Sequence, residues 1–326
     1  MVITDTLAAF LKATADPLRL EVLQVLGHSS FGVLELVDIL AVKQSGMSHH
    51  LKVLAQGGLV EKRREGNSIF YRRRLPQPGS VTSELHEALL TQLDLAPLVA
   101  PLAARLDQVQ AQRAAQSKAF FARHGGALAG QQELIADYPQ YAEQAFELLA
   151  RLAQGGTVLE VGPGEGQFLA LLARQFDRVI GLDNSEVVLE QARRAVAGQD
   201  RVQLLLGEWP QDQASLPAVD AMVFNMVLHH LPSPSAALAA AARQLRPGGV
   251  LLVTELCRHD QHWAHDACGD LWLGFDEAEL VDWAGRAGLQ LQESQFLALR
   301  NGFQVQVRSF QKRSMLIGNM QHAVRQ

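Results

Sequence analysis

The second half of the chain limits the fold most, because short apolar runs alternate there with amphipathic helical stretches. Thr157–Val161, Arg178–Leu182, Val202–Leu206, Asp220–Asn225 and Gly249–Glu255 are β-rich runs. Stretches at 166–175, 185–197, 235–245 and 276–287 repeat apolar residues at helical spacing. Helices interleaved with strands must cover both faces of one sheet. The pattern therefore predicts a doubly wound, mostly parallel α/β sheet. The last β runs, Leu289–Phe296 and Phe303–Phe310, flank Arg300-Asn301-Gly302, a hairpin-type turn that predicts an antiparallel final strand.

The first of these strands runs into Glu160-Val161-Gly162-Pro163-Gly164-Glu165-Gly166. Gly162, Gly164 and Gly166 permit positive φ and let a ligand approach the backbone closely. Dinucleotide sites space their glycines Gly-x-Gly-x-x-Gly. Here the spacing is Gly-x-Gly-x-Gly, with an acid two residues before the first glycine. That suits a ligand without a pyrophosphate and with a cationic amino-acid end. Asp183 ends the second strand, 17 residues after Gly166. An acid there can hold both hydroxyls of a ribose, or cap the helix that follows Asn184-Ser185-Glu186. After the third strand, Glu208 can accept an adenine amino hydrogen. Trp209 can stack on the ring or simply be buried in a turn. Asn225 and Met226 end the fourth strand, and His229 and His230 follow where a general base can stand.

Taken together, "VLEVGPGEGQFL", "VIGLDNSEVVLEQAR", "LLLGEWP", "VDAMVFNMVLHHLPSP" and "ARQLRPGGVLLVTEL" resemble a class I S-adenosylmethionine-dependent methyltransferase over about 140–310. The resemblance implies a Rossmann-like domain. It also implies that Glu160, Gly162, Gly164 and Asp183 bind the methionine and ribose parts of the cofactor and Glu208 the adenine; Gly166, Asn184 and Trp209 are further candidate cofactor-binding residues. Asn225 and Met226 would stand beside the methyl group. S-adenosylmethionine is then the expected cofactor, with S-adenosylhomocysteine as an alternative ligand, and a small molecule is the expected methyl acceptor. "NMVL" stands where adenine-methylating enzymes carry an Asn-Pro-Pro-Tyr type of motif, which speaks against base methylation.

The N-terminal quarter has a different character. The whole chain carries 29 basic and 34 acidic residues, a formal charge of -5. Residues 43–74, however, hold eight basic residues against two acidic ones, a patch suited to phosphate. Apolar spacing predicts helices at 4–14, 17–27, 31–40 and 44–56, with Asp16-Pro17 as cap and first helical residue of the second. Ala41-Val42-Lys43 is a short link between the last two, which fits helix-turn-helix. Leu59–Arg64 and Ser68–Arg72 flank Glu65-Gly66-Asn67 and read as a hairpin. A basic hairpin after a helix-turn-helix makes a winged helix, whose second helix enters the major groove.

"LKATADPLRLEVLQVL" and "MSHHLKVLAQGGLVEKRREGNSIFYRR" resemble the ArsR/SmtB family of winged-helix repressors over roughly 5–75. This resemblance implies a homodimer on an inverted repeat of double-stranded DNA. Gln44, Ser45, Ser48, His49 and His50 would face bases. Only one of the two adjacent histidines can do so, and His49 is favoured. Lys52, Lys62, Arg63, Arg64 and Arg72 would face phosphates. The family's metalloid sensors carry cysteines on the third helix. Here that helix reads "VLELVDIL", and the first cysteine is Cys257, so either a different effector acts or none does.

The expected organisation is a mainly α winged helix at 1–75, a helical connector with dimer-type packing at 76–130, and the Rossmann-like methyltransferase domain at 131–326. Connector helices are expected at about 81–95 and 102–122, with Gly125-Gly126 as a joint. Cys257 and Cys268 cannot build a disulfide framework. His259, His262 and His265 recur at a spacing of three, which rotates around a helix rather than converging. The segment Cys257–Asp270 therefore reads as a polar loop over the cofactor pocket, with no metal site. No apolar run is long enough to span a membrane, and a cytoplasmic location is expected.

Overall fold

The computed structural model describes residues 3–65, 68–124 and 135–314. The turn residues Gly66-Asn67 and the Gly125-Gly126 joint lie outside the described residues. The chain divides into two compact units. The first comprises residues 1–132, 229–236 and 258–274; the second comprises 133–228, 237–257 and 275–326. Two short segments of the C-terminal half thus cluster with the N-terminal unit, which linear boundaries at 75 and 130 do not capture.

The first unit opens with α1 (Ile3–Thr14), α2 (Pro17–Leu26), α3 (Val33–Leu40) and α4 (Gln44–Gln56). The Asp16 side chain accepts from the Arg19 N–H at 3.0 Å, closing the first turn of α2 behind Pro17. Asp16→Ala should therefore lower stability by about 1 kcal/mol, measurable as a lower urea midpoint at unchanged slope. The α3–α4 link turns tightly because Ala41 adopts φ 53° and donates its N–H to the Val37 carbonyl. β2 (Val60–Glu65) and β3 (Ser68–Arg73) pair antiparallel, and the two-residue β1 (Phe31–Gly32) adds to the far side of β3.

Met47, Leu51 and Leu54 turn the inner face of α4 into the core, with Phe10, Leu23, Phe31, Leu36 and Ile39. Helices α5 (Ser83–Leu95) and α6 (Ala100–His124) follow. Leu102, Leu106 and Val109 of α6 enter this same core, so part of the connector's apolar stripe is satisfied within the unit. Arg113 of α6 is almost fully buried. It donates to both carboxylate oxygens of Glu35 (2.7 and 2.6 Å) and to the Ser30 carbonyl (3.0 Å), and it lies over the rings of Phe31, Phe70 and Trp272.

The second unit is built on a seven-stranded sheet ordered β6-β5-β4-β7-β8-β10-β9. Its strands are β4 (Thr157–Val161), β5 (Arg178–Asp183), β6 (Val202–Leu206), β7 (Val219–Asn225), β8 (Leu245–Leu256), β9 (Leu289–Ala298) and β10 (Gln304–Lys312). The neighbours from β6 to β8 are parallel, and β10 inserts antiparallel between β8 and β9. The turn at 300–302 makes β9 and β10 direct neighbours. Gly302 has φ 89°, and the Asn301 side chain accepts from the Phe303 N–H, folding the chain straight back. The chain winds outward from β4 through β5 to β6, then restarts on the other side of β4 with β7. The switch point, where ligands bind in such sheets, therefore lies at the carboxyl ends of β4 and β7. Among the described residues, no single helix is long and apolar enough to cross a membrane.

Candidate functional site

The glycine loop leaves β4 at the switch point. Gly162, Gly164 and Gly166 all have positive φ (66°, 55° and 81°). A Cβ on Gly162 would stand 2.5 Å from the Val227 side chain, and one on Gly166 would stand 2.9 Å from the backbone of Ala192. These two glycines are required by packing. Gly164 differs, because its missing Cβ faces open space. It is the one position of the motif where backbone is left bare.

Around this loop several buried polar atoms have no hydrogen-bond partner among the described residues: Glu160 Oε2, Asn225 Oδ1, Thr254 Oγ1 and the Tyr138 hydroxyl. Asn225 and Thr254 face each other in register on β7 and β8, and Glu160 is the penultimate residue of β4. Buried polar atoms are nearly always satisfied in native proteins, so their collection at one end of a sheet marks a ligand site. Burial raises the Glu160 carboxyl to about 8. The Tyr138 and Tyr141 hydroxyls are pushed up by burial and by the neighbouring Glu160 charge. Met226, next in the chain, holds φ 54°, a conformation unfavourable for its side chain, and its N–H is tied to the Thr254 carbonyl at 2.9 Å.

Asp183 ends β5. One of its oxygens accepts from the Ser185 N–H at 2.9 Å, while Ser185 caps the helix Glu186–Ala195. The carboxylate is thus oriented without acting as the cap. Burial raises it to about 6, against the opposing pull of the Ser185 and Asn184 N–H groups. Asn184 is exposed, and Glu208 is half-buried after β6. Trp209 corrects the stacking expectation. Its ring is buried, packs edge-on to Phe224 at 6.2 Å and donates its indole N–H to the Ala237 carbonyl at 3.3 Å. An indole satisfied within the core serves packing.

His229 and His230 lie in the first unit. Both are buried, with ring centroids 4.1 Å apart, and both face Asp270. Burial and His229 hold His230 well below the usual imidazole range. Sequence reasoning missed Tyr138, Tyr141 and Thr254 as site residues. The available signals were a hydroxyl directly after the apolar run Val250–Val253 and two tyrosines just ahead of a helix.

On the first unit, Gln44, Ser45, Ser48, His49 and Lys52 are exposed on the outer face of α4. His50 is not. Its ring is mostly covered, and Nδ1 lies 3.8 Å from Asp16. In β2 the side chains alternate: Lys62 and Arg64 are exposed, whereas Arg63 and Glu65 are buried. Arg63 is therefore not a phosphate contact. It pairs with Glu65, donates to the Gly274 carbonyl and lies 5.6 Å from the Trp272 ring centroid. Arg72 likewise engages Glu61 at 2.7 Å, and Arg73 engages Asp94 at 2.5 Å. Lys43, Lys52, Lys62 and Arg64 are the exposed basic residues of this stretch.

A doubly wound sheet with a glycine loop, bare backbone and unsatisfied polar groups at its switch point defines a protein that binds a polar small molecule there. Residues 134–298 match a family model described as a methyltransferase domain, and residues 14–63 match one described as a helix-turn-helix domain. The chain belongs to the methyltransferase-domain family. It is 34% identical over 132 residues to a trans-aconitate 2-methyltransferase of Azoarcus sp. (38% of this chain, 51% of that one). It is 38% identical over 112 residues to a probable S-adenosylmethionine-dependent methyltransferase of Mycolicibacterium smegmatis (34% and 42%). The chain thus spans about a third to a half of the length of the curated relatives it matches. The fold is similar to a crystal structure of Burkholderia thailandensis 1,6-didemethyltoxoflavin-N1-methyltransferase solved with bound 1,6-didemethyltoxoflavin and S-adenosylhomocysteine. The TM-score there is 0.51 at 23% identity, covering 67% of this chain and 93% of that one.

Proposed function

We propose that the chain is a DNA-binding transcriptional regulator of ArsR/SmtB type, acting as a homodimer, whose methyltransferase domain binds S-adenosylmethionine or S-adenosylhomocysteine and transmits that binding to DNA affinity. The observation that carries it is the coexistence, in one chain, of an exposed polar α4 face and a small-molecule cradle with unsatisfied buried groups. The donor set suits this cofactor. Glu160, buried beside the glycine loop, complements an ammonium group. Asp183, with one oxygen already fixed by a backbone N–H, offers the other to ribose hydroxyls. Asn184 and Glu208 border the nucleoside side, and the bare Gly164 backbone admits close approach. The bound cofactor supplies an electrophilic methyl group on a sulfonium. Asn225 and the strained Met226 position whatever lies at the end of β7, which is the main contribution asked of a protein in such a transfer.

On α4, Gln44, Ser45, Ser48 and His49 read base edges. Lys52, Lys62 and Arg64 contact phosphates, the last two from the hairpin acting as a wing. Ligand binding shifts DNA affinity only if the cofactor favours one conformation of the dimer. The test is a mobility shift with full-length protein on duplexes selected from a random pool, with neither, either or both cofactor forms. A change of about 5-fold or more in DNA affinity supports sensing. A protein that binds no duplex overturns the regulator reading.

A second reading is favoured by the family match: an active small-molecule methyltransferase whose helix-turn-helix controls its own expression. Cofactor-independent DNA binding together with transfer of labelled methyl to a carboxylic acid such as trans-aconitate would select it. In either case, Lys62→Ala with Arg64→Ala should weaken binding equally across duplexes. It should also lower the salt slope by about 3.6, because a homodimer loses four phosphate contacts at about 0.9 each; an unchanged slope would remove the hairpin from the interface.

A further inference from the structure

We propose that His229, His230 and Asp270 form a binding site for one divalent transition-metal ion of the zinc class. The three residues come from two separate excursions of the chain, the turn Leu228–His230 after β7 and the segment 258–274 after β8. Backbone bonds lock these excursions together independently of any ion. The Leu271 and Trp272 N–H groups both donate to the His229 carbonyl (2.9 and 3.2 Å), and the Trp272 indole N–H donates to the Leu231 carbonyl at 2.8 Å. The side chains are therefore presented by a preformed frame.

His229 Nε2 and His230 Nδ1 each lie 3.8 Å from Asp270 Oδ1, and one ligand atom from each of the three residues falls within 4.8 Å of the others. Metal–ligand bonds of about 2.0–2.1 Å set the edge of a tetrahedron at about 3.4 Å, so small inward movements would close the site. The two rings are inclined by 63° rather than stacked. The Asp270 side chain is fully buried, and those of the two histidines are 4% and 8% exposed. Surface carboxylate clusters do not share this feature.

Two imidazole nitrogens and one carboxylate oxygen suit zinc, cobalt or nickel rather than magnesium or calcium, which take oxygen ligands. Three protein ligands leave a fourth position open. The Phe121 ring packs against His230, with ring centroids 4.8 Å apart and planes at 86°. The Gly269 carbonyl, 3.4 Å from His230 Nδ1, is the group the ion displaces. His259, His262 and His265, which the sequence draws attention to, are not members of the cluster.

The test uses full-length protein freed of metal with a chelator and titrated with Co²⁺, followed by Zn²⁺. One equivalent of Co²⁺ per chain should bind and give the visible absorption of low-coordinate cobalt, and Zn²⁺ should abolish it. Asp270→Asn and His230→Gln should weaken binding beyond the roughly 10–100-fold that loss of an outer partner of a ligand causes. His262→Ala should leave binding unchanged. Absence of a stoichiometric cobalt signal in the wild-type protein overturns the proposal whatever the folding of the variants. Loss on His262→Ala, or a thiolate-to-cobalt charge-transfer band implicating Cys257 or Cys268, overturns it as well.

Discussion

Asp183→Ala should weaken S-adenosylmethionine binding on the order of 100-fold or more, read by calorimetry. A hydrogen bond to a charged group contributes about 1.5–3 kcal/mol, and this carboxylate can accept two from one ribose. Its backbone bond to Ser185 holds it in place, so a merely local loss would show as lower stability with intact affinity. That outcome would reject the assignment.

The pH dependence carries a sign. Asp183 and Glu160 have native values raised to about 6 and about 8, above their ordinary values of 3.8 and 4.5. The ligand-free native state thus holds protons that the unfolded chain has released. Its stability falls as pH rises between about 4 and 8. A cationic ligand beside Glu160 reverses this by favouring the carboxylate. Binding at pH 7 should therefore release a proton, visible as a dependence of binding heat on the buffer's ionisation enthalpy. Glu160→Gln should abolish that dependence.

Arg63→Ala should be the most destabilising substitution in the hairpin, at about 3–5 kcal/mol. The guanidinium is buried against Glu65, whose other oxygen accepts from the Leu273 N–H at 2.7 Å. Removing the cation leaves a carboxylate uncompensated in the interior. Arg63→Met with Glu65→Leu should be far milder, because replacing both charges removes the desolvation penalty together with the attraction. Lys62→Ala with Arg64→Ala should change stability by less than about 0.5 kcal/mol. Urea unfolding of the three variants provides the check; equal losses for Arg63→Ala and the exposed pair would contradict the burial of Arg63.

Those four neighbouring residues show where sequence reading reaches its limit. Lys62, Arg63, Arg64 and Glu65 form one charged run, and composition treats its basic members alike. A strand sends alternate side chains to opposite faces, but the run carries no apolar residue to say which face is inner. The core-facing register was decided by Trp272, Leu273 and Gly274, more than two hundred residues away. For His49 and His50, helical geometry alone separated the two, and Asp16 placed the inner one.

Local chemistry carried much of the rest. Helix caps, the glycine spacing, the acid at the end of β5 and the periods of apolar residues are properties of short windows, and they were sufficient for the element order and the parallel sheet. Three features depend on partners distant in sequence: the inward turn of Trp209 onto Ala237, the unsatisfied group of Thr254 opposite Asn225, and the meeting of His229 and His230 with Asp270. Pairing between remote residues leaves no period or spacing in the chain. It appears only once burial has chosen which polar groups must answer one another.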